Sequence, residues 1–182
     1  NILKKKIVVF DGSFGALMRE MTIPTEAYQG KEGYCEILNV TRPDIISSVT
    51  ERYYTAGSDV VQTNTFSANP IKVMEFGFAR EKTYEINYAA AKIAKAAAQK
   101  YSTKDKPRFV KGSIGPSGFL PSSTDESLSK ITYDELKQNF YEQAIGLIDG
   151  GVDLFIIETQ QDILETKATI TGLKKIPTLV LP

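Results

Sequence analysis

The sequence predicts an α/β protein with a parallel sheet, because short apolar runs alternate with longer segments of helical periodicity. Four of these runs end in a polar residue, and the successive ends are 53, 49 and 45 residues apart. The spacing exceeds a minimal βαβ unit of about 30 residues but is regular, as expected for repeated βα units. The four strand ends are Asp11, Asn64, Ser113 and Glu158.

A fifth apolar run at residues 178–181 bears on the size of the fold. Four βα units and a fifth strand are about half of an eight-unit barrel, for which roughly 250 residues is typical. We therefore predict a (β/α)8 TIM-barrel-type fold, of which this chain supplies about the first four βα units plus a fifth strand. Residues 1–182 are expected to be one partial barrel domain, truncated at the carboxyl end of a longer chain. Such a half barrel has two open sheet edges, through which the fragment could self-associate.

An internal repeat supports the βα units. Residues 56–66 read AGSDVVQTNTF and residues 150–160 read GGVDLFIIETQ. Both segments combine a helix end, a short link, an apolar strand and a polar residue at the carboxyl end of that strand. The alignment pairs Gly57 with Gly151, Asp59 with Asp153, Asn64 with Glu158 and Thr65 with Thr159.

Two apolar runs predict buried strands, and capping signals predict the helices. Residues 7–10 read IVVF before the DGSFG turn, and residues 154–157 read LFII without polar alternation, as expected of a strand buried on both faces. Pro43 is typical of a first helical position, and Thr132 with Glu135 forms a capping-box pattern. We predict helices from Arg42 to Gly57, around 86–97, after 132 and from about 162 to 173, with a long loop at 23–39.

Composition excludes several classes of function. The chain has 182 residues, 42% of them apolar, and 22 basic residues balance 22 acidic ones, so no net charge attracts nucleic acid or an anionic membrane. No apolar run approaches the roughly 18 residues of a membrane span, and no secretory signal opens the chain, which predicts a cytoplasmic protein. The run of lysines at 4–6 is interpreted as a solvated flank of the first strand.

The chain has one cysteine and no histidine. A disulfide framework within these residues is therefore excluded, and the commonest general base and metal ligand is missing. Cys35 is interpreted as a bystander, because a lone cysteine without histidine forms neither a zinc site nor an activated nucleophile.

Glu158 is the strongest candidate for a binding residue, because active sites of parallel barrels lie at the carboxyl ends of the strands. An ionised carboxylate there suits a ligand ammonium group. Asp11 precedes a glycine turn and either contacts a ligand or braces the loop. Asn64 and Ser113 either contribute amide and hydroxyl contacts to the same pocket or only cap loops. The DGSFG segment matches neither phosphate-binding glycine pattern, so a nucleotide site is not favoured.

With these residues in view, the sequence resembles the homocysteine S-methyltransferase family, and most nearly the homocysteine-binding domain at the start of cobalamin-dependent methionine synthases. The matching segments cover nearly the whole chain in family order. They are VVFDGSFGALM, TRPDIISSVTERYYTAGSDVVQTNTFSAN, INYAAAKIAKAAAQKY, KPRFVKGSIGPSG and ITYDELKQNFYEQAIGLIDGGVDLFIIETQQDILETKA.

The resemblance implies a barrel in which three cysteine thiolates hold a zinc ion that binds the homocysteine sulfur. Zinc lowers a thiol pKa, which supplies a sulfur nucleophile at neutral pH. A methyl group then passes from methylcobalamin to that sulfur, and folate and cobalamin domains are implied in the full-length protein. By the same resemblance, Asp11 and Gly12 help to hold the amino-acid end of homocysteine, and Glu158 receives its ammonium group.

One departure from the family pattern is large. The family's zinc cysteines lie in NC and GGCC motifs, which this sequence lacks, and Cys35 matches none of them. We therefore expect the zinc ligands beyond residue 182, no metal ligands or catalytic residues in this segment, and no methyl transfer by these residues alone. Two alternatives remain: a betaine- or S-methylmethionine-dependent homocysteine methyltransferase, and a non-catalytic binding module derived from the barrel.

Overall fold

A computed structural model describes Lys4 and residues 6–176, and within these it has a three-stranded parallel sheet with helices packed on it. The sheet has the order β1-β2-β3, as predicted for repeated βα units. The strands are β1 (Val60–Gln62), β2 (Phe109–Ile114) and β3 (Leu154–Ile157). The helices are α1 (Phe14–Arg19), α2 (Leu38–Thr41), α3 (Pro43–Ala56), α4 (Pro70–Glu75), α5 (Lys82–Tyr101), α6 (Glu126–Ser129), α7 (Tyr133–Gly150) and α8 (Ile163–Leu173).

The register of the sheet brings the predicted strand ends to one edge. Gln62 of β1 pairs with Lys111 of β2, and Ser113 of β2 pairs with Ile156 of β3. Because all pairs are parallel, the carboxyl ends of the strands point the same way. The residues that follow them therefore lie at the same edge of the sheet.

Successive residues of β2 face opposite sides of the sheet. Val110 packs with α5 alanines in an apolar cluster. A side chain at Gly112 would meet Phe155 and Leu147 of α7, at 3.0 and 3.1 Å. Lys111 and Ser113 alternate with these two positions along the strand and therefore point to the side away from the helices.

The prediction that the first strand, at residues 7–10, is buried is wrong. Phe10 forms a single parallel bridge with Val60, and the backbone of Val9 accepts hydrogen bonds from the N–H groups of Asp59 and Val60. The side chain of Ile7 is nevertheless 89% exposed. Within the described ranges one neighbouring strand holds this segment and no helical layer covers it, so its apolar pattern is not matched by burial.

The prediction that residues 154–157 are buried on both faces is also wrong. Leu154 is 36% exposed and the other three residues of β3 are half-buried. Phe155 and Ile157 pack against the core beneath α7 and α8, whereas β3 has a strand partner on one side alone in the part of the chain that is described. The face shared by Leu154, Ile156 and Glu158 is the uncovered one.

The internal repeat is confirmed by two equivalent aspartates. Asp59 accepts a hydrogen bond from the Val9 amide at 3.0 Å and forms an ion pair with Lys6 at 2.6 Å. Two βα units later, Asp153 makes equivalent contacts with the Val110 amide at 2.9 Å and with Lys95 at 2.6 Å. Each aspartate thus joins the start of its strand to the preceding strand. Lys6 is consequently more than the solvated flank predicted from the lysine run.

Helix boundaries follow the predicted signals. Helix α3 ends at Gly57 with φ 115° and α7 ends at Gly151 with φ 101°, a backbone conformation that favours glycine. The Thr132 and Glu135 capping box is present at the start of α7. Asp162 caps α8 through the Leu164 amide at 2.7 Å.

Several short helices are not predicted by the sequence pattern. The segment 23–39, predicted as a loop, contains two 3-10 helices, Thr25–Tyr28 and Cys35–Ile37, and the start of α2. Helices α4 and α6 lie in regions for which the sequence pattern predicted no element. The fifth predicted strand, at 178–181, lies outside the described residues.

No described helix has the length and apolar character that a membrane span requires.

Two glycines of α7 allow it to pack closely on α5. A side-chain carbon at Gly150 would lie 2.4 Å from the Ala91 Cβ, and one at Gly146 would lie 2.8 Å from the Tyr84 carbonyl oxygen. Both distances are well inside van der Waals contact, so the backbones of these helices approach one another only because these positions lack side chains.

We predict that Gly150→Ala lowers the free energy of unfolding by about 1–3 kcal/mol, because the added methyl group forces the two helices apart. The measurement is urea denaturation followed by circular dichroism. Gly15→Ala in α1 is the matched control: its Cβ would meet no described atom within 4 Å. The control should be neutral or stabilising by up to about 1 kcal/mol, and equal losses in both variants would contradict the packing argument.

Candidate functional site

A pocket of about 550 Å³ opens at the carboxyl edge of the sheet. This volume is within the usual range of roughly 300–1,000 Å³ for small-molecule sites. Four segments contribute to it: the turn after the first strand, the loop around Cys35, the end of β1, and side chains of β2 and β3. The residues with ionisable groups that line it are Asp11, Cys35, Glu36, Lys111 and Glu158.

Asp11 and Glu158 therefore face a common pocket, as the predicted barrel requires. Glu158 follows β3, and its amide donates to the Ile114 carbonyl oxygen at 3.0 Å, which holds the backbone against the end of β2. The Ser113 hydroxyl donates to Glu158 Oε1 at 2.5 Å. No ion pair among the described residues includes Glu158, so its half-buried carboxylate has negative charge to offer a ligand.

The Asp11 carboxylate is already engaged within the protein. Its side chain is 0% exposed, Oδ2 accepts from the Gln62 amide at 2.8 Å, and Oδ1 lies 2.9 Å from Lys111 Nζ. This last contact is an ion pair that is not aligned as a hydrogen bond. Burial raises the pKa of Asp11, against the opposing effects of the Gln62 amide and the Lys111 ammonium. Because the side chain is fully buried, Asp11 exposes its main chain to the pocket.

Gly12 lies in the turn between Asp11 and α1 and lines the pocket. A side chain at this position would approach the Tyr53 hydroxyl to 3.3 Å. That hydroxyl donates to the Ser13 carbonyl oxygen at 2.8 Å and so holds the turn against α3. Glycine at position 12 therefore leaves the backbone accessible from the pocket without disturbing this brace.

The Asn64 side chain is used to position the loop around Cys35. Its amide donates to the Cys35 carbonyl oxygen at 2.9 Å and to Asn39 Oδ1 at 3.2 Å. The Asn39 amide in turn donates to the Asn64 carbonyl oxygen at 2.8 Å. Both N–H bonds of the Asn64 amide are thus directed at the protein, which favours the loop-capping interpretation of this residue.

The buried Glu36 and the half-buried Cys35 line one side of the pocket. Glu36 Oε1 accepts a hydrogen bond from the Ser67 amide at 2.7 Å. Burial raises the pKa of the Glu36 carboxyl, against the opposing Ser67 amide. Burial also raises the pKa of the Cys35 thiol, and the Glu36 carboxylate adds to this. The thiol is therefore not activated as a nucleophile, consistent with its interpretation as a bystander.

Thr159, directly after Glu158, has a left-handed backbone with φ 61°. This conformation is a genuine outlier for a β-branched residue and costs about 1–3 kcal/mol. Such strain concentrates at functional sites, where the surrounding structure imposes it. No sequence signal indicated it, because threonine gives no sign of a positive φ.

Two carboxylates at the start of α8 hold the loop that follows β2. The buried Glu165 accepts hydrogen bonds from the amide of Ser117, at 2.7 Å, and from its hydroxyl. Asp162 accepts from the Ser122 amide at 2.7 Å. The loop is therefore fixed at the carboxyl edge of the sheet, beside the pocket. The sequence pattern identified neither contact, because both join segments more than 35 residues apart.

A family model of homocysteine S-methyltransferases matches residues 8–181 of the sequence. The chain belongs to the homocysteine S-methyltransferase family. It is 34% identical over 173 residues to a methionine synthase of Mycobacterium leprae. The aligned region covers 95% of this chain and 14% of that protein. A methionine synthase of Mycobacterium tuberculosis is 32% identical over 175 residues, with 96% and 14% covered. The chain thus spans about one seventh of these relatives.

Solved structures of this family have the same fold. The homocysteine methyltransferase MmuM of Escherichia coli, in its oxidized form, superposes with a TM-score of 0.77 at 20% identity, covering 97% of this chain and 61% of that one. The metallated form of the same protein superposes with a TM-score of 0.76, and the match covers 62% of that chain. The predicted family is confirmed, and so is the predicted fold: the chain is part of a homocysteine S-methyltransferase (β/α)8 barrel.

The described residues do not fit the three-cysteine zinc site that membership of this family implies. Residues 4 and 6–176 contain no group of three histidine, cysteine, aspartate or glutamate side chains that could hold a metal ion. Cys35 is the one thiol in the sequence, and its neighbour Glu36 accepts a hydrogen bond from the Ser67 amide. The described residues therefore do not supply the ligands of such a zinc ion.

We predict that Glu165→Gln becomes more stable relative to the wild type as the pH rises. Burial raises the pKa of Glu165, so the wild type is stabilised by the neutral carboxyl at low pH and loses this contribution as the pH rises through the raised pKa. Glutamine does not titrate and retains an acceptor for Ser117. Urea denaturation at pH 4.5 and pH 7.5 measures the difference.

Glu165→Ala is the comparison, since it removes the acceptor and should cost about 1–3 kcal/mol. A glutamine variant whose stability relative to the wild type is the same at both pH values would show that Glu165 does not titrate as its burial requires.

Proposed function

We propose that this chain forms the homocysteine-binding part of a methyltransferase that transfers a methyl group to the homocysteine sulfur and so makes methionine. The observation that carries the proposal is Glu158, a carboxylate with no cationic partner among the described residues, facing a pocket of amino-acid size in a member of this family. The methionine synthase relatives support the methionine-forming reaction.

In this proposal Glu158 receives the ligand ammonium group. The Ser113 hydroxyl occupies Oε1 and fixes the carboxylate, which leaves Oε2 for a charge-assisted hydrogen bond. Asp11 and Gly12 hold the amino-acid end through the turn after the first strand, where Gly12 allows close approach of the backbone. Asn64 shapes the pocket wall by positioning the Cys35 loop rather than by direct contact.

The proposal also includes zinc and methylcobalamin, as the resemblance implies. Zinc would be held by residues outside this chain, and there it would supply a lower thiol pKa for homocysteine. The residues of this chain contribute the amino-acid pocket and not the metal ligands. The choice of methylcobalamin over betaine or S-methylmethionine as methyl donor rests on the relatives named methionine synthase. The folate and cobalamin domains of the full-length protein belong to the same proposal.

We predict that Glu158→Gln in the full-length protein weakens homocysteine binding by about 10- to 100-fold, since a charge-assisted hydrogen bond contributes about 1.5–3 kcal/mol. Glutamine keeps the size of the side chain and an acceptor for Ser113 but loses the negative charge. Isothermal titration calorimetry with homocysteine measures the change.

The matched control is Glu81→Gln, which removes one exposed carboxylate at the start of α5 that does not line the pocket and should leave the affinity unchanged. Ser113→Ala should weaken binding by a smaller factor, because it frees the Glu158 carboxylate without removing it. Homocysteine affinity that is equal in the wild type and Glu158→Gln would refute the assignment of Glu158.

A further inference from the structure

Two threonine hydroxyls continue the pairing of β1 with β2 beyond Gln62, where β1 ends. The Thr63 amide still donates to the Lys111 carbonyl oxygen at 2.9 Å, as in a parallel ladder. Two residues further along β2, the backbone of Ser113 contacts side chains instead. Its amide donates to the Thr63 hydroxyl oxygen at 3.0 Å, and its carbonyl oxygen accepts from the Thr65 hydroxyl at 2.8 Å. Both backbone groups of Ser113 are therefore held by threonine side chains.

The contact between the two hydroxyls has an assignable direction. Their oxygens are 2.6 Å apart, and each hydroxyl carries one hydrogen. The Thr65 hydrogen is directed at the Ser113 carbonyl oxygen, which can only accept, so the Thr63 hydroxyl must donate to Thr65. The hydrogen bonds thus run in one direction, from the Ser113 amide through Thr63 and Thr65 to the Ser113 carbonyl oxygen, and they close a ring.

Gln143 of α7 reinforces this hydroxyl ring. Its Nε2 donates to the Thr65 carbonyl oxygen at 2.8 Å and to the Ser113 carbonyl oxygen at 3.3 Å. Gln143, Thr65 and Ser113 are fully buried, and Thr63 is 2% exposed. A buried polar group that loses its partner is costly, because water does not replace the lost hydrogen bond. The ring therefore holds one arrangement of the chain at the end of β1.

The hydroxyl ring fixes the residue that contacts Glu158. The amide and carbonyl groups of Ser113 flank its Cα atom, so holding both determines where its side chain is directed. The Ser113 hydroxyl donates to Glu158 Oε1 at 2.5 Å. Thr65 makes no hydrogen bond to Glu158 among the described residues, so any effect of Thr65 on this carboxylate passes through Ser113.

We propose that Thr65 is a positioning residue, whose hydroxyl holds Ser113 and thereby orients the Glu158 carboxylate for a ligand ammonium group. This inference rests on the proposed function, because Glu158 is the group that is positioned. Thr65 itself touches no ligand. Without its hydroxyl, the Thr63 hydroxyl loses its acceptor and the Ser113 carbonyl oxygen loses one of two donors.

The competing role for Thr65 is purely structural, as a buried side chain that contributes to stability alone. Ligand truncation separates the two roles. Homocysteine is compared with 4-sulfanylbutanoate, which lacks the amino group, by isothermal titration calorimetry on the full-length protein in the presence of a reducing agent. The measured quantity is the ratio of the two dissociation constants within each variant.

We predict that the wild type prefers homocysteine by about tenfold or more, the value of a charge-assisted hydrogen bond. In Thr65→Val, which keeps the shape but removes the hydroxyl, this preference should fall by about three- to tenfold. Thr65→Ser restores the hydroxyl and should restore the preference. In a Glu158→Gln background, Thr65→Val should change the ratio no further, because the carboxylate that it orients is already gone.

The matched control is Thr50→Val. Thr50 is equally buried, and its hydroxyl donates to the Ile46 carbonyl oxygen at 2.9 Å within α3, away from the residues that line the pocket. This variant should lose stability but keep the wild-type ratio. A Thr65→Val protein that also loses stability and keeps the ratio would overturn the inference.

Thr65→Cys is the milder variant if Thr65→Val does not fold, since a thiol is a weak donor of nearly the same shape. Its ratio should lie below that of the wild type, and an unchanged ratio in the folded Thr65→Cys protein would equally overturn the inference. If the wild type does not bind homocysteine, or does not prefer it, the proposed function fails and the role of Thr65 fails with it. If the wild type shows the preference and Thr65→Val retains it, the inference alone fails.

Discussion

The parallel pairing of β2 with β3 is the constraint on which the candidate site depends. Because Ser113 pairs with Ile156, the chain leaving β3 brings the Glu158 carboxylate against the Ser113 hydroxyl. A shift of this register by one residue would turn Glu158 toward the helical layer, where an uncompensated carboxylate is costly. The aspartates at the starts of β1 and β3 support the same register, since Asp59 and Asp153 each bind an amide of the preceding strand.

The electrostatics of the pocket follow from this arrangement. Asp11 is fully buried and faces Lys111, so these two charges largely cancel within the wall. Burial raises the pKa of Glu36 and favours its neutral form. Glu158 is half-buried and bound to a neutral hydroxyl, so its charge is the one available to a cationic group.

Local signals in the sequence were reliable where the local chain decides the structure. The ends of α3 and α7 at Gly57 and Gly151 follow from the low cost of a left-handed backbone at glycine. The sequence alignment paired Asp59 with Asp153, and the two residues make equivalent contacts in the structure. Burial was predicted less well: IVVF at 7–10 and LFII at 154–157 have the pattern of strands covered on both faces, but that pattern does not reveal which neighbours cover them.

The sequence by itself determined the parallel βα order, the boundaries of α3, α7 and α8, the family, and Glu158 as the main acidic residue at a strand end. These depend on periodicity, on backbone preferences at glycine and proline, and on motifs that are contiguous in the chain. Only the tertiary structure decided that Asp11 is paired with Lys111, that the Asn64 amide is directed at the Cys35 loop, and that Glu165 holds Ser117. Each of these contacts joins residues from 29 to 100 positions apart, and whether a polar side chain is free or engaged depends on the neighbours that folding brings to it.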